Sequence, residues 1–223
     1  MPRQISIAID GPAAAGKTTI ASGIARRLGL KYVDTGAMYR AAAWKSLELG
    51  IPLEDEGRIV EMVSRMEIRF EAGDSRIFAD GVDVTRAIRS PEVTRLSSPI
   101  SAISGVRRHL VALQQTMAEE GGCVMEGRDI GSVVMPDAEV KVFLTASVEE
   151  RARRRYAERE ESGVHTDLEM LKKEIEERDR RDSTRAHSPL VRVPDAVEIV
   201  TDGLSIEQVI DKILELCRER MSE

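Results

Sequence analysis

Residues 11–18 read Gly-Pro-Ala-Ala-Ala-Gly-Lys-Thr and fit the pattern G-x-x-x-x-G-K-[ST] at every position. An apolar run at residues 4–9 precedes this stretch and predicts a buried strand. The apolar residues Ile20, Ile24 and Leu28 follow at helical spacing, and Gly29 predicts the end of that helix. A strand, a glycine-rich loop and a helix in this order predict a P-loop rather than a chance glycine-rich turn.

The chemistry of this loop assigns roles to its residues. Glycines allow a tight turn whose N–H groups face a phosphate, and the helix start adds its positive dipole end. We expect Lys17 to contact the β- and γ-phosphates of ATP and the Thr18 hydroxyl to bind Mg²⁺. The predicted ATP-binding residues are Gly11, Pro12, Ala13, Ala14, Ala15, Gly16, Lys17, Thr18 and Thr19.

The rest of the chain continues an α/β pattern over a predicted single domain of residues 1–223. Further strands are predicted at residues 32–33, 123–125, 140–144 and 197–200, with helices at 37–49, 91–102, 106–119, 148–181 and from 205 onward. Short strand-like runs at 67–70, 76–78 and 82–84, around the turns Ala72-Gly73-Asp74 and Asp80-Gly81, predict an antiparallel insertion. We place this insertion at about residues 62–95. A break at Ser162-Gly163 predicts a lid at about residues 156–167, with its tip at 160–165.

Composition narrows the class of protein. The chain has 223 residues, of which 42% are hydrophobic and 32% charged, and no apolar run is long enough to cross a membrane. Its net charge of −6 and its few aromatic residues argue against a nucleic-acid-binding module. The two distant cysteines and the N-terminal sequence, which lacks a signal-peptide pattern, favour a cytoplasmic protein with reduced thiols. A monomer is expected, since no exposed apolar seam is evident.

The residues after the central strand distinguish among P-loop proteins. A GTPase would carry D-x-x-G and N-K-x-D motifs, and the sequence has neither. The strand at 123–125 leads into Glu126-Gly127-Arg128-Asp129. An arginine beside the nucleotide can stabilise a transferring phosphoryl group, which fits a kinase better than an ATPase that activates water. The sequence therefore favours a kinase with a small acceptor.

Four motifs together resemble the bacterial cytidylate kinases, within the nucleoside monophosphate kinase family. They are residues 9–19 (IDGPAAAGKTT), 34–40 (DTGAMYR), 126–138 (EGRDIGSVVMPDA) and 177–190 (ERDRRDSTRAHSPL). The resemblance covers essentially the whole chain, and it implies transfer of the γ-phosphate of ATP to CMP or dCMP with Mg²⁺. One departure is Thr18-Thr19, where many members have Ser-Thr or Gly-Thr; the hydroxyl is retained.

The resemblance also implies a set of acceptor-binding residues. Thr35 and Arg40 would hold the acceptor phosphate, Arg128 a phosphate, and Asp129 the amine of cytosine. The full implied set is Thr35, Arg40, Ser98, Arg107, Arg128, Asp129, Arg178, Asp182 and Arg185, in which Ser98 and Arg107 read the base, and Arg178 and Asp182 the sugar. Lys17, Arg128 and Arg185 would be the catalytic residues. An ordinary N-cap at residues 34–36 and a solvated ion-paired face at 178–185 are the simpler interpretations.

Helical spacing gives further expectations for the basic residues of the C-terminal third. Arg178, Asp182 and Arg185 are spaced i, i+4 and i+7, so a helix would put them on one face. Arg151, Arg153, Arg154 and Arg155 alternate with glutamates near the lid, and which of them contacts ATP stays open. Trp44 is expected to pack on the core, the three scattered histidines are not expected to bind metal, and the last helix should bury a stripe of Ile206, Val209, Ile210, Ile213, Leu214 and Cys217.

Alternatives remain at this point. A P-loop kinase could act on UMP, AMP or shikimate instead, and a P-loop switch could signal through a partner without catalysis. The relative use of CMP, dCMP and UMP, and any regulation, cannot be read from the sequence.

Overall fold

A computed structural model describes residues 5–71, 76–161, 163 and 165–222. The predicted turn Ala72-Gly73-Asp74 and the lid-tip residues Ser162 and Val164 lie outside the described residues. Within them, no helix combines the length and the apolar character needed to cross a lipid bilayer.

The main sheet has five parallel strands in the order β2-β6-β1-β7-β8. The strands are β1 (Ile7–Asp10), β2 (Lys31–Asp34), β6 (Cys123–Gly127), β7 (Val140–Thr145) and β8 (Val197–Val200). The central strands β1 and β6 are buried throughout, because helices cover both of their faces. The parallel α/β sheet predicted from the sequence is therefore confirmed, with β6 two residues longer than expected.

Alternate strand residues supply two apolar layers. Ile7 and Ile9 face α1 (Lys17–Leu28) and α8 (Ile206–Ser222), while Ala8 belongs to the layer on the opposite face. That second layer is formed by α2 (Thr35–Glu48), α3 (Glu56–Arg65), α4 (Pro91–Ala102) and α5 (Ser104–Glu119). Trp44 is partly buried against it, as predicted.

The antiparallel meander predicted in the insertion is present. It consists of β3 (Ile68–Phe70), β4 (Ile77–Ala79) and β5 (Val82–Asp83), followed by a short 3₁₀ turn at Ala87–Arg89. Its buried residues join the same apolar layer as α2 to α5. The outer limits of the insertion at about 62–95 stay a prediction.

The helical region after β7 divides into α6 (Val148–Glu161) and α7 (Leu168–Thr184). Ala152 of α6 packs on Leu171 and Ile175 of α7. The prediction that Arg185 continues the helical face of Arg178 and Asp182 is wrong. Arg185 has an extended backbone (φ −63°, ψ 145°), and the N–H of Leu190 donates to the Asp182 carbonyl at 2.8 Å, so the chain turns back after Thr184.

The last helix begins as predicted. The Ser205 N–H donates to Gln208 Oε1 at 2.9 Å, and the Gln208 N–H donates to Ser205 Oγ at 3.2 Å, which is a capping box. Five of the six stripe residues are buried, but Ile206 is 53% exposed and lies at the mouth of the cleft described below. Its assignment to the core is therefore wrong, because it precedes the turn that packs on α1.

Candidate active site

The P-loop closes over the carboxyl end of β1. Gly11 has φ +150°, and a Cβ there would lie 1.9 Å from the Leu144 carbonyl oxygen, so this position requires glycine. Gly16 has φ +88° and caps α1 directly before Lys17. The Lys17 ammonium donates to the Pro12 carbonyl at 2.6 Å and is almost fully buried. The loop thus wraps around its own lysine, while the Thr18 side chain remains exposed.

Acidic and basic groups meet around Lys17. Glu126, near the end of β6, is buried and accepts from the Tyr32 hydroxyl at 2.6 Å, and the Thr18 hydroxyl lies beside it. Burial, followed by the nearby Asp34 carboxylate, raises the pKa of Glu126. Burial and the Arg128 guanidinium lower the pKa of Lys17. Phosphate groups placed here would favour the charged ammonium, because opposite charges stabilise each other at short range.

The acceptor-phosphate residues cluster at the start of α2. Asp34 is the N-cap: its Oδ1 accepts from the Ala37 N–H at 2.9 Å, and its Oδ2 accepts from Arg40 Nη2 at 2.7 Å. The Thr35 hydroxyl donates to the Glu126 carbonyl at 2.7 Å. Asp34 is therefore an N-cap, and the helix start that it caps lines the cleft together with Arg40; the binding of the acceptor phosphate by Thr35 and Arg40 stays a prediction.

The predicted base-reading carboxylate, Asp129, is buried between two arginines. Its Oδ2 accepts from Arg107 Nη2 in a close ion pair, and its Oδ1 lies 3.5 Å from Arg185 Nη2. The Arg107 guanidinium also lies 5.4 Å above the Tyr39 ring, which helps to hold it in place. The cleft wall beside this group is formed by Ser97 and Ser101 rather than by Ser98.

A second ion pair joins α7 to the loop after β6. Arg128 Nε donates to Asp182 Oδ2 at 2.9 Å, and Arg178 Nε lies 4.0 Å from the same oxygen. Burial and the neighbouring Arg128 lower the pKa of Arg178 to about 9. Despite burial, Arg128 and Arg178 lower the pKa of Asp182. The carboxylate thus holds two arginines at the same edge of the cleft.

One cleft of about 600 Å³ collects these groups. The predicted residues that line it are Ala13, Ala14, Ala15, Gly16, Lys17, Thr18, Thr19, Thr35, Arg40, Arg107, Arg128, Asp129, Arg178, Asp182 and Arg185. Gly11, Pro12 and Ser98 are not among the lining residues. Gly11 and Pro12 belong to the P-loop but lie behind the residues that line the cleft. A direct role of Ser98 in base reading stays a prediction.

The comparisons with known proteins agree with this arrangement. The family model described as cytidylate kinase matches residues 7–219. The chain belongs to the cytidylate kinase family. It is 51% identical to a cytidylate kinase of Desulfitobacterium hafniense over 99% of this chain and 96% of that protein. It is 50% identical to a cytidylate kinase of Listeria monocytogenes over the full length of both.

Three further likenesses set the limits of this family assignment. A bifunctional pantoate ligase/cytidylate kinase of Synechococcus is 52% identical over 98% of this chain, which spans only 41% of that protein. A gluconokinase of Sinorhizobium meliloti shares the fold at a TM-score of 0.51 and 14% identity, covering 100% of this chain and 97% of its own. A shikimate kinase of Bacteroides thetaiotaomicron does so at 0.50 and 15%, with 96% and 98% covered. These structures support the P-loop kinase fold alone, and the family match does not favour shikimate as the acceptor.

In this cytidylate kinase family member, Asp10 lies behind the cleft and holds the segment that follows Asp129, a role that the sequence alone did not reveal. Its Oδ1 and Oδ2 accept from the N–H groups of Ile130 and Gly131, each at 2.8 Å, and thereby hold a short π-helical turn (Ile130–Val134). That turn directly follows Asp129. Burial raises the pKa of Asp10 to about 6. The feature of the sequence that could have indicated this role is its position as the last residue of a strand, directly before the P-loop.

The arginines near the lid divide into distinct roles. Arg154 donates to the hydroxyl and the carbonyl of Thr201, each at 3.0 Å, and lines the cleft together with Arg155. Arg153 is 71% exposed and lies outside the lining. Arg151 is buried and bonds to the P-loop. The sequence could not separate these four residues, because their roles depend on which side of α6 meets the P-loop.

Proposed function

We propose that this chain transfers the γ-phosphate of ATP to CMP or dCMP, yielding ADP and CDP or dCDP. The observation that carries the proposal is one cleft that joins a complete P-loop to a buried carboxylate, Asp129, flanked by arginines. Cytosine offers an exocyclic amine, and an ionised carboxylate only accepts hydrogen bonds, so the two are complementary. The names of the relatives at about 50% identity support the same reaction.

Phosphoryl transfer in this cleft requires positioning and charge stabilisation rather than a covalent intermediate. In the proposed arrangement Arg40 and the N-terminal turn of α2 position the acceptor phosphate, whose oxygen attacks the γ-phosphorus in line. Lys17, Arg128 and Arg185 offset the negative charge on the transferring group. Arg178 and Asp182 contact the sugar, and Arg107 and Asp129 contact the base. Closure of the lid and the insertion excludes water, which would otherwise take the phosphoryl group.

Mg²⁺ fits the donor set of this cleft. The exposed Thr18 hydroxyl lies beside the buried Glu126 carboxylate, and the Asp34 carboxylate is also near Glu126. Hard oxygen donors of this kind suit Mg²⁺. We propose that Thr18, with Glu126 beside it, would hold the ion, which would supply positive charge to neutralise the β- and γ-phosphates. No group of three or more His, Cys, Asp or Glu side chains suited to a metal occurs among the described residues, so the proposed ion depends on the Thr18 hydroxyl and on the phosphates of ATP.

A cytoplasmic, monomeric enzyme is part of the proposal. The support for the cytoplasm is the pair of free thiols, Cys123 and Cys217, which are both buried and belong to different apolar layers. Size-exclusion chromatography with light scattering tests the monomer directly, and a dimer mass would overturn it.

The test of the function is release of ADP from ATP and Mg²⁺ with CMP, dCMP, UMP, AMP, GMP, dTMP and shikimate offered in turn. Turnover with CMP and dCMP well above the other acceptors is the expected result. Preference for another acceptor would retain the kinase and overturn the cytosine assignment. Tight ATP binding with no turnover on any acceptor would indicate a nucleotide-binding switch instead.

A further inference from the structure

Arg151 connects three parts of the fold through one buried guanidinium. It lies in the first turn of α6 and is 4% exposed. Its Nε donates to the Ala146 carbonyl at 2.9 Å, at the end of β7. Its Nη1 donates to the P-loop carbonyl of Ala13 at 3.2 Å and to Asp179 Oδ2 of α7 at 2.6 Å. Arg151 is therefore bonded to the donor loop and to the helix of the acceptor side.

Each end of this connection is close to a substrate-binding group. Ala13 lines the cleft within the P-loop. Asp179 follows Arg178 directly and precedes Asp182 by one helical turn, so a shift of Asp179 moves both of these side chains. The second oxygen of Asp179, Oδ1, is buried without a hydrogen-bond partner among the described residues. Its carboxylate is thus held chiefly by Arg151.

Only arginine can make these contacts together. A guanidinium is planar, permanently charged and carries five N–H donors in a fixed fork, whereas an ammonium is a point charge on a flexible stem. A lysine at this position could keep the charge but could not reach all three partners. The neighbouring Arg153 provides a comparison in the same helix, since it is 71% exposed and pairs only loosely with Glu150 at 4.0 Å.

We propose that Arg151 is a positioning residue that couples the P-loop to α7, so that ATP and the acceptor monophosphate each strengthen the binding of the other. This inference rests on the proposed function, because it needs both substrates in one cleft. Ordering of the P-loop by a triphosphate fixes the Ala13 carbonyl, and Arg151 then fixes Asp179 and the helix that carries Arg178 and Asp182. By thermodynamic linkage the same factor applies when the acceptor binds first.

The test measures the Kd of CMP by calorimetry, with and without a saturating Mg²⁺ complex of the β,γ-imido analogue of ATP. The unsubstituted protein is expected to bind CMP about 5- to 150-fold more tightly when the analogue is present. Arg151→Lys and Asp179→Asn should each bring this ratio close to about one, and the double variant should lose no more than either single variant. Arg153→Lys is the matched control and should keep the full ratio.

The outcomes separate this inference from the proposed function. Failure of the unsubstituted protein to bind CMP at all would overturn the function on which the inference rests. CMP binding and turnover with an unchanged ratio in both Arg151→Lys and Asp179→Asn would overturn the coupling alone. A ratio of one in the unsubstituted protein would do the same. Asp179→Asn replaces only one heavy atom on a half-buried side chain. It therefore still tests the coupling if Arg151→Lys folds poorly.

Discussion

The substitution Asp129→Asn tests base recognition and the buried ion pair together. Asp129 is buried, and its carboxylate pairs closely with Arg107 and lies 3.5 Å from Arg185. Asn preserves the shape but removes the charge, so the proposed bond from the cytosine amine loses a charged acceptor. A hydrogen bond to a charged group contributes about 1.5–3 kcal/mol, which corresponds to a rise of about 10- to 150-fold in the KM for CMP.

The same substitution has a separate effect on stability. Arg107 would remain buried with its charge unpaired, and breaking a buried pair destabilises by about 3–5 kcal/mol. Arg107 keeps its donation to the Ser101 carbonyl at 3.3 Å and its contact with the Tyr39 ring, which favours the lower end, about 3 kcal/mol. Urea unfolding measures this loss independently of catalysis.

The assay compares KM values for CMP, UMP and ATP under conditions where the variant is folded. Asn can donate as well as accept, so it should tolerate the O4 acceptor of uracil and lower the preference for CMP over UMP. At saturating CMP the KM for ATP should change by less than about twofold, since the substituted side chain belongs to the acceptor end of the cleft and not to the P-loop. Asp137→Asn, an exposed change in the segment after the π-helical turn, is the control. An unchanged KM for CMP in folded Asp129→Asn, or an equal rise for ATP, would refute the reasoning.

Three further predictions concern the P-loop end of the cleft. The folded-state pKa of Asp10 lies above its ordinary value, so its contribution to stability is present below about pH 4 and is lost as pH rises through about 6. Urea titrations give the unfolding free energies of the unsubstituted protein and of Asp10→Asn. The first value minus the second should fall by about 2 kcal/mol between about pH 4.5 and about pH 7.5. Gly11→Ala should destabilise by more than about 4 kcal/mol in urea unfolding, because the new methyl would overlap the Leu144 carbonyl. Gly57→Ala in α3 would meet only Asp55 Oδ1 at 3.9 Å, an ordinary contact, and should be neutral or stabilising. Thr18→Ala should raise the Mg²⁺ concentration for half-maximal turnover by about tenfold or more, measured by titrating Mg²⁺ into the ADP-release assay.

Each of these three has a result that contradicts it. A pH-independent difference for Asp10→Asn would mean that its carboxyl titrates alike in the folded and unfolded chains. Equal stabilities of Gly11→Ala and Gly57→Ala would remove the steric argument for glycine at the P-loop. An unaltered Mg²⁺ requirement in Thr18→Ala would show that the ion is held without that hydroxyl.

The sequence predicted those parts of the fold that local chemistry determines. The helix at Lys17–Leu28 begins and ends where the P-loop and Gly29 place it, and the capping pattern at Ser205 is present in the structure. These features depend on residues within a few positions of one another. Local hydrogen bonding and backbone preference therefore suffice to predict them.

Features that depend on distant contacts were not predictable in the same way. The π-helical turn after Asp129 is held by Asp10, 120 positions earlier in the chain. Arg151 meets Ala13 across 138 positions, and nothing in its neighbouring residues distinguishes it from Arg153. Arg185 was misplaced because helical spacing continues past Thr184, while the backbone bond from Leu190 to Asp182 ends the helix.

The most direct test of the proposed reaction follows the phosphoryl group itself. ATP labelled on its γ-phosphate is incubated with the protein, Mg²⁺ and CMP, and the products are separated. We expect the label in the β-phosphate of CDP, in an amount equal to the ADP formed. Label found only in inorganic phosphate, at a rate that CMP does not change, would contradict phosphoryl transfer to the acceptor.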